Sequence, residues 1–138
     1  MENKKPQAKY KTIMLIDDNE IDNIINQKMI EGNNFAERIY IHTGSRSALE
    51  FLQNLDRDEE LLAQMLPDVV FLDINMPIMD GFQFLEEYEK LSDRIKKHCK
   101  IVMLTTSINP SDMDRAKKSD YIIRYINKPL TSEFLSDV

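Results

Sequence analysis

The chain has 138 residues and a formal net charge of −6, with 42% hydrophobic and 30% charged residues. This length suits one domain with a substantial core, and the composition excludes a chain that is disordered throughout or embedded in a membrane. The acidic balance also argues against a nucleic-acid surface, since binding to a phosphate backbone needs clustered Lys and Arg.

The domain organisation follows from the termini and the apolar runs. Residues 1–10 are polar and predict a flexible N-terminal tail, so the folded domain is expected over residues 11–138. No apolar run reaches the ~18 residues of a spanning helix, and the N-terminus lacks the apolar core of a signal peptide. A single cysteine, Cys99, leaves no internal disulfide to form. We therefore expect a cytoplasmic protein without membrane contacts.

Five short runs rich in β-branched residues are typical of strands. They are Ile13–Ile16, Ile39–Ile41, Val69–Leu72, Ile101–Leu104 and Tyr121–Ile126. The runs are apolar throughout and do not alternate with polar residues, as expected for strands that are covered on both faces.

Helices are predicted between these strands from apolar residues at helical spacing. The predicted helices are Ile21–Met29, Ala48–Leu52, Phe82–Leu91 and Met113–Ala116, with a further helical segment within Asp56–Gln64 and a last helix that begins at Pro129. Strict alternation of strands and helices predicts right-handed crossovers and a parallel sheet with helices on both faces.

Polar residues follow four of the five predicted strands. The pair Asp17 and Asp18 follows the first strand, Asp73 the third, Thr105 the fourth and Lys128 the fifth. Carboxyl ends of parallel strands share one edge of the sheet, and the order 2-1-3-4-5 would place the first and third strands side by side at its switch point. We expect Asp73 to lie at this edge and to be exposed, not buried.

Each of these residues has an ordinary explanation when it is taken alone. Adjacent acids before a helix can cap it, an aspartate can begin a turn, and Lys128-Pro129 can end a strand. Together they predict a pocket of three carboxylates, a hydroxyl and an ammonium. Carboxylates held this close repel one another unless a cation compensates, and Mg²⁺ prefers such oxygen ligands.

In order and spacing, these residues resemble the receiver domain of two-component response regulators. The resemblance covers roughly Lys11–Leu135 and includes the pattern D-x-x-M-P-x-x-D-G from Asp73 to Gly81. It implies a flavodoxin-like (βα)5 three-layer sandwich with the strand order 2-1-3-4-5. The long connection before the third strand and the stretch Ser107–Pro110 are similar to those of single-domain receivers. A cis Lys128-Pro129 peptide is also implied, although the sequence does not distinguish it from the trans form.

The resemblance implies a role for each pocket residue. Asp73 would accept a phosphoryl group from a phosphohistidine on a sensor histidine kinase or histidine phosphotransfer protein. Asp18 and Asp73 would bind Mg²⁺, with Mn²⁺ as an alternative, together with the backbone carbonyl of Asn75, and Asp17 would act mainly through a metal-bound water. Lys128 would supply a second cation.

The family switch implies two further roles. Thr105 would hydrogen-bond the phosphoryl group, and Tyr125 would move into the vacated space and change the face made by the fourth main helix, the fifth strand and the last helix. Thr106 and Ser107 would lie at the pocket rim. Thr106 is larger than the residue usual in the family and could narrow access to Asp73.

The expected function is that of a signalling module, with no enzymatic activity beyond self-phosphorylation and slow autodephosphorylation. It would act on an unknown output protein, as a monomer or weak homodimer.

A phosphorylation-independent scaffold is one alternative to this function. A Mg²⁺-dependent aspartyl phosphatase is another, but such enzymes usually carry a second aspartate where this chain has Asn75, which cannot act as a general acid. A flavodoxin-like cofactor carrier is a third, opposed by the acidic loop after the first strand.

Overall fold

A computed structural model describes residues 7–138 as alternating strands and helices around one sheet. The strands are β1 (Tyr10–Ile16), β2 (Ala36–His42), β3 (Val69–Leu72), β4 (Lys100–Thr105) and β5 (Ile122–Asn127). The helices are α1 (Glu20–Gly32), α2 (Ser45–Asp56), α3 (Glu59–Met65), α4 (Gly81–Tyr88), α5 (Asp93–His98), α6 (Pro110–Lys117) and α7 (Ser132–Ser136). Within these described residues, no helix is both long enough and apolar enough to span a membrane.

The sheet confirms the predicted topology. All pairings are parallel, and the strands lie in the order β2-β1-β3-β4-β5. Ile16 at the end of β1 is paired with Leu72 at the end of β3, so the residues that follow these two strands emerge side by side. This register brings Asp17 and Asp73 to the same edge.

Two apolar cores lie on opposite faces of the sheet, because alternate residues of a strand point to opposite sides. Met14, Val70 and Met103 belong to the core that includes residues of α2, α4 and α6. Ile13 and Phe71 belong to the other core, which includes residues of α1 and α7. The chain is therefore a three-layer α/β sandwich, as the continuous apolar strands predicted.

The predicted helix Phe82–Leu91 is wrong in its extent. Helix α4 ends at Tyr88, and α5 begins five residues later. The Asp56 carboxylate accepts hydrogen bonds from the Ser92 backbone N–H at 3.0 Å and the Ser92 hydroxyl at 2.5 Å. These bonds hold Ser92 extended, with ψ at 157°, which interrupts the helix.

The first strand and the last helix begin at other residues than predicted. β1 already begins at Tyr10, one residue inside the predicted tail, because the Tyr10 N–H donates to the Phe35 carbonyl. Residues 1–6 of that tail lie outside the described residues. The last helix begins at Ser132 and not at Pro129, since Thr131 caps it by accepting a 3.2 Å hydrogen bond from the Phe134 N–H. The Lys128-Pro129 peptide is cis.

Candidate phosphoryl and metal site

Backbone hydrogen bonds at the strand ends position the residues of the site. The Asp17 N–H donates to the His42 carbonyl at 3.1 Å, and the Asp73 N–H donates to the Ile16 carbonyl at 3.0 Å. The Lys128 N–H donates to the Thr105 carbonyl at 2.9 Å. The sheet ladder thus continues one residue past each strand and fixes where these side chains begin.

The Lys128 ammonium lies at the centre of the site. Its Nζ donates to Asp17 Oδ2 at 2.5 Å, to Asp22 Oδ2 at 2.8 Å and to Asp73 Oδ2 at 3.1 Å. An ammonium has three N–H donors, and these three carboxylates account for all of them. The Lys128 side chain is only 7% exposed, so the interactions are screened little by water.

Asp73 is buried, which corrects the expectation that it would stay exposed at the sheet edge. The residue is 6% exposed. The reason is that Lys128 and Asp17 close over the strand end, and the ammonium compensates the buried charge. The Asn75 N–H also approaches Asp73 Oδ1, at 3.4 Å.

Burial and ion pairing have opposite effects on the ionisable groups. Burial alone would lower the pKa of Lys128, but its hydrogen bonds to Asp17 and Asp22 and the charge of Asp73 raise it above its ordinary value. Burial raises the pKa of Asp17, and the hydrogen bond from Lys128 only partly offsets this effect. Lys128 therefore remains charged throughout the physiological pH range, as a permanent cation among the carboxylates.

The donor atoms fit a hard divalent cation. One carboxylate oxygen from each of Asp17, Asp18 and Asp73 lies within 4.8 Å of the others. Asp18 is exposed, so the cluster opens to water on one side. Several carboxylates with access to water match the preference of Mg²⁺ for a few carboxylates and retained water ligands.

The loop after Asp73 is packed tightly against α4. Asp80 caps this helix, accepting from the Gln83 N–H at 2.8 Å, and the Gln83 side chain accepts from the Asp80 N–H at 2.9 Å. A Cβ on Gly81 would lie 2.5 Å from the Asp73 carbonyl oxygen and 3.0 Å from the Ile74 Cα. Glycine at this position is what allows the helix to begin directly behind Asp73.

Ser107 connects the two predicted switch residues. Its N–H donates to Thr105 Oγ1 at 3.2 Å, and its carbonyl accepts from the Tyr125 hydroxyl at 2.9 Å and from Asn127 Nδ2 at 2.8 Å. The Ser107 hydroxyl donates to Asp112 Oδ2 at 2.7 Å, which ties the loop to α6. Burial raises the pKa of Tyr125, so its hydroxyl stays protonated and can donate. Ser107 is thus more than a rim residue.

The remaining predicted residues are peripheral. Thr106 is exposed between Thr105 and Ser107, and Asn75 is exposed beyond Asp73. His42 and His98 lie outside the carboxylate cluster: the His42 ring contacts the Ser47 hydroxyl at 2.7 Å, and the His98 ring contacts Asp68 at 2.7 Å. Neither histidine contributes a ligand to the site.

Asp22 is the member of the site that the sequence analysis missed. It lies in the first turn of α1, the helix that follows β1 and the acidic pair. The first turn of a helix after a parallel strand begins at the same sheet edge as the strand's carboxyl end, so topology offered a signal. Helical spacing alone did not show that its side chain meets Lys128.

A family comparison identifies the kind of domain in which this cluster lies. The family model for the response regulator receiver domain matches residues 13–138. The chain belongs to this receiver family. The receiver is 32% identical, over 123 residues, to a probable methanogenesis regulatory protein, FilR2, of the archaeon Methanothrix harundinacea; the match covers 89% of this chain and 75% of that protein.

Solved structures agree with the family assignment. The receiver superposes on a two-component response regulator from Cytophaga hutchinsonii with a TM-score of 0.83 and 27% identity, covering 95% of this chain and 94% of the other. It superposes on the phosphorylated cyanobacterial phytochrome response regulator RcpA with a TM-score of 0.72 and 25% identity, covering 93% and 88%. Receivers are signalling modules of two-component systems, which fits the sequence-based expectation.

Proposed function

We propose that this receiver is a phosphorylation-dependent switch in which Asp73 accepts a phosphoryl group from a phosphohistidine. The observation that supports this most strongly is the placement of the Lys128 ammonium, which contacts Asp73 inside a carboxylate cluster suited to a divalent cation. A buried nucleophile, a fixed cation and hard-metal ligands are the components that phosphoryl transfer to a carboxylate needs.

The reaction is an in-line displacement at phosphorus. A carboxylate oxygen of Asp73 forms the new P–O bond while the P–N bond to the donor imidazole breaks. The bonding pair stays on the imidazole nitrogen, which takes up a proton, and Asp73 becomes an acyl phosphate. Lys128 offsets charge on the phosphoryl oxygens, and Thr105 offers its hydroxyl as a hydrogen-bond donor.

The metal would be held by Asp18, Asp73 and the backbone carbonyl of Asn75, with Asp17 acting through a water. When bound, Mg²⁺ supplies positive charge that lets an anionic phosphoryl group approach an anionic pocket. Mn²⁺ suits the same oxygen ligands.

We infer that the phosphoryl donor is a protein, a sensor histidine kinase or a histidine phosphotransfer protein. Asp73 is buried, so the donor histidine must reach into the pocket and the donor surface must cover its rim. Three exposed isoleucines lie in segments that follow β1, β3 and β4: Ile21 at 69% exposure, Ile78 at 92% and Ile108 at 77%. Because exposed large apolar side chains favour protein contacts, and these three lie in segments that leave the carboxyl edge of the sheet, they support this class of donor.

The output face comprises α6, β5 and α7. Ser107 connects Thr105 to Tyr125 on β5 and to Asp112 on α6, so a movement of the Thr105 hydroxyl toward a phosphoryl group would disturb contacts of both elements. An unidentified protein would read this change, and a weak homodimer through the same face is an alternative output. We propose that the receiver acts in the cytoplasm, through contacts with other proteins.

Among the alternatives, a phosphatase is disfavoured because the Asn75 amide cannot donate a proton to a leaving group. The scaffold alternative predicts no response to phosphorylation. Beryllofluoride with Mg²⁺, a mimic of the acyl phosphate, separates it from the switch.

We expect saturable NMR amide shifts around Asp73 that extend to Thr105, Ser107 and Tyr125 when beryllofluoride and Mg²⁺ are added. Asp73→Asn should abolish them, because the mimic bonds to a carboxylate oxygen. Shifts confined to the metal ligands, or identical shifts in Asp73→Asn, would favour the scaffold.

A further inference from the structure

The Lys128 ammonium has one partner that belongs neither to the carboxylate cluster nor to the phosphoacceptor. Asp17 and Asp73 are both members of the cluster that could hold a metal, whereas Asp22 is not. Asp22 nevertheless accepts a hydrogen bond of 2.8 Å from Lys128 Nζ, which is shorter than the 3.1 Å bond to Asp73. Its side chain is 30% exposed, against 7% for Asp73.

The backbone of α1 holds Asp22 in this position. Asn19 caps the helix, and its side chain accepts a 3.0 Å hydrogen bond from the Asp22 N–H. The carboxylate therefore extends from a capped first turn toward the end of β5, 106 residues away in sequence. Because capping uses only the backbone of Asp22, its side chain is free to serve the ammonium.

We propose that Asp22 is a positioning residue that competes with the incoming phosphoryl group for the Lys128 ammonium and thereby weakens the phosphorylated state. The inference rests on the proposed function. In the unphosphorylated protein, the Asp22 carboxylate holds the Lys128 ammonium beside the first turn of α1. When a phosphoryl group is added to Asp73, the N–H that Lys128 donates to Asp73 must turn to a phosphoryl oxygen, and the hydrogen bond to Asp22 opposes this movement of the ammonium.

Charge determines the direction of the effect. Phosphorylation replaces the single negative charge of the Asp73 carboxylate with a phosphoryl group that carries more negative charge. Asp22 remains anionic beside the ammonium that this group needs, and like charges at close range disfavour each other. A neutral side chain at position 22 removes both the competition and the repulsion. The phosphorylated state should then become more favourable.

The test is a beryllofluoride titration at saturating Mg²⁺ that compares wild type with Asp22→Asn. We expect Asp22→Asn to bind the mimic roughly three- to tenfold more tightly. The matched control is Glu20→Gln, which removes the same charge from the same first turn of α1; among the contacts of residues 7–138, none joins Glu20 to Lys128. We expect its affinity to stay within about twofold of wild type.

A second readout separates positioning from a general effect on the fold. The side-chain ammonium resonance of Lys128, recorded without the mimic, should shift in Asp22→Asn and stay in place in Glu20→Gln. Urea unfolding of both variants checks that they fold alike.

The possible failures can be distinguished. Equal or weaker mimic binding by Asp22→Asn, while wild type binds and Asp73→Asn does not, would overturn the inference and leave the proposed function standing. Absence of saturable binding in wild type would overturn both. Equal tightening in Glu20→Gln would show a long-range charge effect and would also overturn the role assigned to Asp22.

Discussion

Replacing Lys128 with methionine should destabilise the metal-free protein and, at the same time, strengthen Mg²⁺ binding. Methionine keeps most of the aliphatic chain and removes the ammonium, so Asp17 and Asp73 remain buried without their cation. We expect a loss of about 3–5 kcal/mol in the free energy of unfolding without Mg²⁺. Mg²⁺ should restore much of this loss by binding the same carboxylates.

The gain in Mg²⁺ affinity follows from the same contacts. In wild type the ammonium competes with the metal for oxygens of Asp17 and Asp73, so its removal should tighten Mg²⁺ binding by roughly three- to tenfold. The response to beryllofluoride should weaken by at least about tenfold, because a charge-assisted contact to the phosphoryl mimic is lost.

Urea unfolding with and without Mg²⁺ and a Mg²⁺ titration followed by NMR provide the measurements. Lys96→Met is the matched control, since Lys96 donates to the Glu89 carbonyl at 2.9 Å and lies outside the carboxylate cluster. It should leave Mg²⁺ affinity unchanged. Weaker Mg²⁺ binding in Lys128→Met would contradict the competition between ammonium and metal.

Replacing Gly81 with alanine should damage the fold and the site together. The added Cβ would meet the Asp73 carbonyl oxygen at 2.5 Å, and both it and the nearby Ile74 Cα belong to the backbone, which cannot rotate away as a side chain could. Either α4 or the loop that carries Asp73 must move. We expect a loss of about 2–4 kcal/mol in the free energy of unfolding and weaker beryllofluoride binding by the folded fraction.

Gly32→Ala is the control for the loss of a glycine. A Cβ at Gly32 meets nothing within 4 Å, and alanine favours a helix over glycine by up to about 1 kcal/mol. This variant should be as stable as wild type or more so. If the free energy of unfolding of Gly81→Ala lies within about 0.5 kcal/mol of wild type, the loop that carries Asp73 can move to accommodate the added Cβ, and the prediction is wrong.

The fold was predictable because its strands are short, apolar and covered on both faces. Val69–Leu72 is apolar at every position, and the structure places its four residues in β3 with the predicted bounds. Helix ends were harder to predict. The break at Ser92 depends on Asp56, which lies 36 residues earlier, and no local pattern contains that contact.

The predicted site residues lie at one sheet edge because the carboxyl ends of parallel strands meet there. The sequence did not reveal how deeply they are buried. Asp73 follows a strand, where exposure is the natural expectation, and its burial depends on the side chain of Lys128, which lies 55 residues later in the chain. Asp22 and the contacts of Ser107 were missed for a similar reason. Each depends on side-chain directions that are set by tertiary packing.

Covalent phosphorylation of Asp73 tests the proposed switch at its first step. Wild type and Asp73→Asn would each be incubated with acetyl phosphate and Mg²⁺, and their intact masses measured. We expect one phosphoryl adduct on wild type, its loss when Mg²⁺ is chelated before the donor is added, and no adduct on Asp73→Asn. An unmodified wild type, or an equal adduct on Asp73→Asn, would contradict the role of Asp73 as phosphoacceptor.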